Sequence, residues 1–142
     1  MMLVRLMYAS RAADSVDQDE LVTILKQSKL NNPDLGVTGV LCFSAGIFLQ
    51  VLEGGRTPVS GLYNRIAHDP RHREVVLLSY EEVEERRFAG WSMGQANLSR
   101  LNPALVMKYS ETAVLDPYAV SGKVSMALFN ELVASAAIIC PG

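Results

Sequence analysis

The sequence predicts an α+β domain in which one sheet carries two helices on one face and helices from the end of the chain on the other. Three observations predict it. Strand-like and helix-like runs follow one another in the order βαββαβ, with one extra short strand after them. The second and third strands are apolar at both parities, which suits a sheet covered on both faces. Two further helical runs follow, one with an apolar stripe, and are available to cover the second face. This order is that of a ferredoxin-like sheet, whose first and third strands lie side by side at the centre.

The elements follow in order. Leu3 to Ser10 suits a strand. In "DSVDQDELVTILKQSKLNNP", Leu21, Ile24, Leu25 and Ser28 share one helical face. Asp14 or Ser15 is expected to cap that helix, Asn31 or Asn32 to take the left-handed position at its end, and Pro33 to block its continuation. "GVTGVLCFSAGIFLQVLEGG" is two apolar runs around Ser44, Ala45 and Gly46, a hairpin pattern. "RTPVSGLYNRIAHD" places Val59, Leu62, Tyr63 and Ile66 at helical spacing before the break at Asp69 and Pro70. "EVVLLSYEEVEE" and "WSMGQA" supply the remaining strands. "NPALVMKY" predicts a short helix, and "SGKVSMALFNELVASAAII" a longer one striped by Met126, Phe129, Leu132 and Val133.

Bulk properties narrow the function classes. The chain has 142 residues, 49% of them hydrophobic, enough for one domain with a core. A net charge of −2, without a dense lysine and arginine cluster, gives no footprint for nucleic acid. The two cysteines, Cys42 and Cys140, have no metal-binding spacing and are expected as free thiols in a reducing compartment. "MMLVRLMYAS" reads as a first strand rather than a signal peptide, and no apolar run approaches the roughly 20 residues of a membrane helix. A cytoplasmic location without membrane contact is therefore expected.

"GIFLQVLEGG" sets an amide, Gln50, in the middle of an apolar strand. A buried amide needs partners for its carbonyl and its NH2, and leaving them unmet costs ~1–3 kcal/mol. The predicted topology supplies candidates. Tyr8, near the end of the first strand, and Gln50, in the third, meet on the helix-covered face. Asn31 and Asn32 hang at the end of the first helix beside the same layer. Together they outline an apolar slot walled by Ile24 and Ile66 with polar groups at one edge, the form of a small-ligand site. A flat heterocycle with alternating carbonyl and N–H groups, such as an isoalloxazine, matches such an edge.

The motifs "LMYAS", "LNNP", "GVTGVLCF", "FLQVLEG", "DPRH" and "WSM", in that order and spacing, closely resemble the BLUF family of blue-light receptors using FAD, in particular its short stand-alone members. The likeness covers Leu3 to about Gln95, so residues 1–97 are expected as a flavin-binding domain. Residues 98–142 are then a helical extension that packs on the sheet or makes oligomer contacts. The resemblance implies that Tyr8 is the electron and proton donor and that Gln50 stands between it and the flavin. It further implies that Asn31 and Asn32 meet the flavin edge, that Arg65 and Asp69 lie near the ring, and that His72 sits at the pocket mouth. Trp91 and Met93 match the pair that competes for the place beside the glutamine. Other readings stand beside these: an i, i+4 surface ion pair for Arg65 and Asp69, an exposed loop histidine for His72, and plain core for Trp91 and Met93.

The function implied is blue-light sensing without substrate turnover, by rearranged hydrogen bonds around FAD, with FMN or riboflavin as alternatives. The signal is expected to reach a downstream protein of unknown identity, and a homo-oligomer is expected. Two rivals share the fold. A ligand-binding or dimerisation module without photochemistry would leave Tyr8, Gln50 and the asparagines unused. An acylphosphatase-like hydrolase would need a glycine-rich phosphate loop after the first strand, where "YASRAADS" has one arginine and no glycine.

Overall fold

The computed structural model of the chain describes residues 2–14, 16–90, 92–96, 103–114, 116–134 and 138–139. In order the elements are β1 (Leu3–Ala12), α1 (Gln18–Leu35), β2 (Thr38–Ser44), β3 (Ile47–Gly55), α2 (Arg56–Ala67), β4 (His72–Val83), β5 (Gly94–Ala96), α3 (Pro103–Met107), α4 (Gly122–Ala134) and β6 (Ile138–Ile139). The strands form one sheet in the order β4-β1-β3-β2-β5-β6. β1 lies antiparallel between β3 and β4, and β5 joins β2 in parallel. This is the expected ferredoxin-like α+β arrangement with its extra strand.

Alternation along each strand sorts the apolar residues into two layers. Val4, Leu6 and Tyr8 of β1, with Phe48 and Leu52 of β3, pack against Leu21 and Leu25 of α1 and Val59 of α2. On the opposite face Met7, Ala9, Val40, Cys42, Leu49 and Val51 pack against Leu128 and Phe129 of α4 and against Phe88. Both parities are apolar because both faces are covered. Phe129 is fully buried and Met126 packs at the edge of the same layer. The side chains of Leu132 and Val133, the rest of the expected stripe, lie outside the described residues. The β2–β3 connection turns on Ala45 and Gly46, both at positive φ (52° and 75°), the geometry of a two-residue hairpin loop.

Several boundaries differ from expectation, among them β4, which runs from His72 to Val83, and β5, which begins only at Gly94. Asp17, not Asp14 or Ser15, caps α1, its carboxylate accepting from the Glu20 N–H at 2.8 Å. The helix does not stop at Asn31 or Asn32 but runs through Pro33 to Leu35, and Gly36 makes the left-handed cap at φ 69°. Pro33 forfeits one bond, to the carbonyl at Lys29, on an exposed side where solvent can serve it. Continuing the turn lets Asn32 bury its amide and Leu35 join the core, which outweighs that loss. β1 extends two residues past Ser10. Finally, α4 ends at Ala134, and Ile138–Ile139 pairs with β5 as a strand rather than prolonging the helix, which suits two β-branched residues beside an open edge.

The β4–β5 connection is tied down from beneath. Glu53 of β3 is fully buried and accepts from Arg5 Nε at 2.7 Å and from the backbone N–H groups of Arg87 and Phe88 at 2.9 and 2.6 Å. Ion pairing and hydrogen bonds together offset the cost of burying this carboxylate. Arg86 donates to the Gly36 carbonyl at 2.7 Å and so joins the same segment to the end of α1. The approach to β5 is thereby fixed relative to α1 and β3.

Candidate functional site

Between α1 and α2, above β1 and β3, lies a cleft of about 480 Å³, within the usual range for a small-molecule site. Helical spacing lines it. Ile24, Ser28, Asn31 and Leu35 recur along one face of α1, and Leu62, Arg65 and Ile66 along one face of α2, with Tyr8, Phe48 and Gln50 as its floor. Asn32, Asp69 and His72 complete the polar side. Nine residues singled out in the sequence, Tyr8, Ile24, Asn31, Asn32, Gln50, Arg65, Ile66, Asp69 and His72, thus converge on one cavity. Trp91 lies outside the described residues.

Register explains the centre of the site. Tyr8 and Gln50 are direct partners across the β1–β3 ladder, so their side chains stand together on the helix face. The Tyr8 hydroxyl donates to Gln50 Oε1, and Gln50 Nε2 donates to Met93 Sδ at 3.2 Å. Both ends of the Gln50 amide are therefore engaged. Asn32 Nδ2 donates to the Ser92 carbonyl at 2.9 Å. Two amides, one from β3 and one from α1, therefore hold the two residues that lead into β5. Met93 is fully buried among the helix-face core residues. Its role as packing and its place beside the glutamine are the same fact.

Charge in the cleft is also arranged. Burial pushes the Tyr8 phenol well above its ordinary value, and Tyr63 and Asp69 add to the effect, so Tyr8 is a neutral donor at physiological pH. Asp69 does not pair with Arg65 as i, i+4 neighbours. It lies past the end of α2, and Arg71 grips it with Nε at 3.0 Å and Nη2 at 2.6 Å, holding its carboxyl below the usual range. Arg71 reaches on to Glu20 Oε1 at 3.2 Å and strings α1 to the α2–β4 loop across the mouth of the cleft. Arg65 makes no ion pair among the described residues. His72 is no exposed loop residue: it opens β4, its ring 4.7 Å from Phe48, and burial holds its imidazole below the usual value while Asp69 opposes and Arg71 reinforces the shift.

Reading residues singly missed Arg71, Phe48 and Ser10. Arg71 stands inside "DPRH", where the Asp-x-Arg spacing suits a carboxylate that bonds both the backbone and the side chain two residues on. Ser10 shares the parity of Tyr8 and bonds His72, so strand alternation was the available signal.

These residues fit a flavin ring: apolar walls from Ile24, Leu62 and Ile66, and amide, carboxylate and imidazole groups along one side. Comparison with known proteins agrees. The family described as BLUF, sensors of blue-light using FAD, matches residues 3–94. The photoactivated adenylate cyclase subunit beta of Euglena longa is 34% identical over 95 residues, 66% of this chain and 11% of that protein. The blue light- and temperature-regulated antirepressor BluF of Escherichia coli K12 is 33% identical over 87 residues, 61% of this chain and 22% of that protein. The chain thus spans a small part of the length of these relatives. Among solved structures, the dark state of BlrB, a BLUF protein, superposes with a TM-score of 0.80 at 30% identity, covering 95% of this chain and 97% of that one. The photo-activated state of BlsA gives 0.81 at 29%, covering 92% and 94%.

Proposed function

The chain belongs to the BLUF family, residues 3–94 forming a blue-light-sensing, flavin-binding domain, and on that premise we propose that it signals through rearrangement of Gln50 in the cleft between α1 and α2. The observation that carries the reading is the chain of contacts from Tyr8 through Gln50 to Met93. A bound flavin supplies absorption of blue light and an oxidant for a nearby tyrosine. Tyr8 is the tyrosine that lines the cleft, and among the described residues its hydroxyl bonds Gln50 Oε1, so a proton given up with an electron would leave along that bond, both returning to Tyr8 as the amide rearranges. A half-turn of the amide exchanges donor for acceptor, so Met93 Sδ loses its N–H partner without any covalent change. Asn32 and Asp69 orient the occupant at its polar edge, and Ile24 and Ile66 exclude water from its faces.

The finer assignments belong to the same proposal. FAD is the cofactor by family, and FMN or riboflavin would present the same ring to these side chains. Residues 1–97 act as the sensor and residues 98–142 as the extension that carries the output, in the cytoplasm and without turnover of a substrate. The output is altered contact with a signalling protein or a second copy of the chain. Coupling of the usual allosteric size, roughly 1–3 kcal/mol, would change association by about 5–150-fold. Sedimentation in the dark and under blue light, with and without Met93→Ala, tests this; association that ignores light with every partner refutes it.

The cofactor reading has a direct test. The purified chain is expected to be yellow, to release FAD on denaturation, and to show a reversible red shift under blue light that Tyr8→Phe abolishes while keeping the flavin. A colourless protein, or a full shift in the Phe variant, would overturn it.

A further inference from the structure

Ser10 has no solvent exposure, and its Oγ lies 2.7 Å from His72 Nδ1. Two arrangements satisfy that distance. In one, the imidazole Nδ1–H donates and the serine hydroxyl hydrogen must find another acceptor. Among the described residues Ser10 Oγ has none. A buried hydroxyl hydrogen left without an acceptor is destabilising, so this arrangement is disfavoured. In the other, Ser10 donates to an unprotonated Nδ1, and the ring carries its proton on Nε2.

The surroundings fix the ring itself. It packs between Phe48, at 4.7 Å, and Tyr8, at 6.3 Å between centroids, and it lines the cleft. Nε2 is hydrogen-bonded to no protein group among the described residues. Because the two nitrogens have opposite roles in a neutral imidazole, whatever group bonds Nδ1 sets what Nε2 offers. Ser10 and Tyr8 share one face of β1, and a β-bulge sits opposite: between Ala9 and Arg11 the β4 register shifts, and Glu74 adopts φ 49°. The bulge frees Ser10 from a β4 partner residue and lets His72 come over it.

We infer that Ser10 is a positioning residue that locks His72 in its Nε2–H tautomer, so that the ring offers the cleft a hydrogen-bond donor. The inference rests on the reading of this cleft as the flavin site. It names the atom class that the occupant must present there: an acceptor, which a flavin has in its ring carbonyls, its ribityl oxygens and its phosphates. A ligand with an N–H at this place is disfavoured, because two donors then face each other at the half-buried ring.

The experiment is a long-range ¹H–¹⁵N correlation spectrum of the imidazoles in the flavin-loaded chain, kept in the dark at neutral pH. The chain has two histidines, and His68→Gln assigns the signals. His68 also serves as a contrast, since its Nδ1 lies 2.7 Å from the Asn64 carbonyl, which only accepts. The expected result is a single Nε2–H pattern for His72, lost to an averaged pattern in Ser10→Ala and retained in Ser10→Thr, which keeps the hydroxyl. An Nδ1–H pattern in the unaltered chain overturns the inference, and so does a Ser10→Ala spectrum with the His72 pattern unchanged. Should Ser10→Ala fail to fold, the unaltered chain and Ser10→Thr decide the matter. No photocycle is required, so a missing red shift counts against the photoreceptor reading and leaves the tautomer to decide this one.

Discussion

Replacing Gln50 by leucine separates the structural from the signalling role of the amide. The side chain is buried, its Oε1 accepting from Tyr8 and its Nε2 donating to Met93. Leucine keeps nearly the same volume, so the core does not collapse. Its cost is polar. The Tyr8 hydroxyl, itself buried, loses its acceptor, a penalty of ~1–3 kcal/mol, while the thioether loses a weak donor. Burying a leucine in place of an amide returns part of this, leaving a net loss of roughly 1–2 kcal/mol. In a chain of this size that lowers Tm by roughly 2–8 °C. The effect on signalling is of another order, because leucine has no donor and acceptor to exchange. We expect a folded, yellow protein with no red shift under blue light. Absorption spectra before and after illumination, with thermal melts on the same samples, make the measurement. A reversible shift of the unaltered size would show that Gln50 is structural only, and an unchanged Tm would show that Tyr8 finds a second acceptor.

Two other outcomes follow from buried groups. Ser125 on α4 is fully buried against the sheet, and its Oγ has no partner among the described residues; Ser125→Ala removes that orphan and adds helix propensity, so stability should rise by ~1–2 kcal/mol in urea unfolding. A loss of stability would mean that the hydroxyl is bonded. His72 is held below its ordinary 6.5 by burial, so the unfolded chain binds its proton first as pH falls. Its contribution is fully present above 6.5 and declines as pH drops from there towards the lowered folded value. His72→Asn should flatten that part of the stability profile, and an identical slope in both proteins would refute the assignment. Asp69, lowered from 3.8 by Arg71, loses its contribution only further into acid, so the two windows are distinct.

The fold was legible because it rests on local periodicity. Period two at both parities in β2 and β3 announced a sheet covered twice, and the stripes of α1 and α2 announced what covers one side. Part of the site was legible for the same reason. Tyr8 and Gln50 lie on central strands, so topology alone brings them to one face, and an amide in an apolar strand had to find a partner there. Ile24, Asn31, Arg65 and Ile66 came with the helices that bear them. The resemblance supplied the roles that patterns cannot.

What tertiary structure alone decided are the places where a distant partner outweighs a local preference. Pro33 and two asparagines predict a helix end, yet α1 continues, since the Ser92 carbonyl, sixty residues on in the chain, takes the Asn32 amide. The i, i+4 spacing of Arg65 and Asp69 predicts an ion pair, yet Arg71 takes Asp69 because the chain turns after Ala67. Ile138–Ile139 reads as helix and pairs as strand because β5 leaves an edge open. The amino-acid sequence by itself determined which faces are apolar, which elements form and which polar residues are forced together, for these depend on side-chain type and spacing along one element. Which nitrogen, oxygen or sulfur meets which, and hence that Gln50 joins Tyr8 to Met93, depends on the register and packing of segments far apart in the chain, and only the folded molecule sets it.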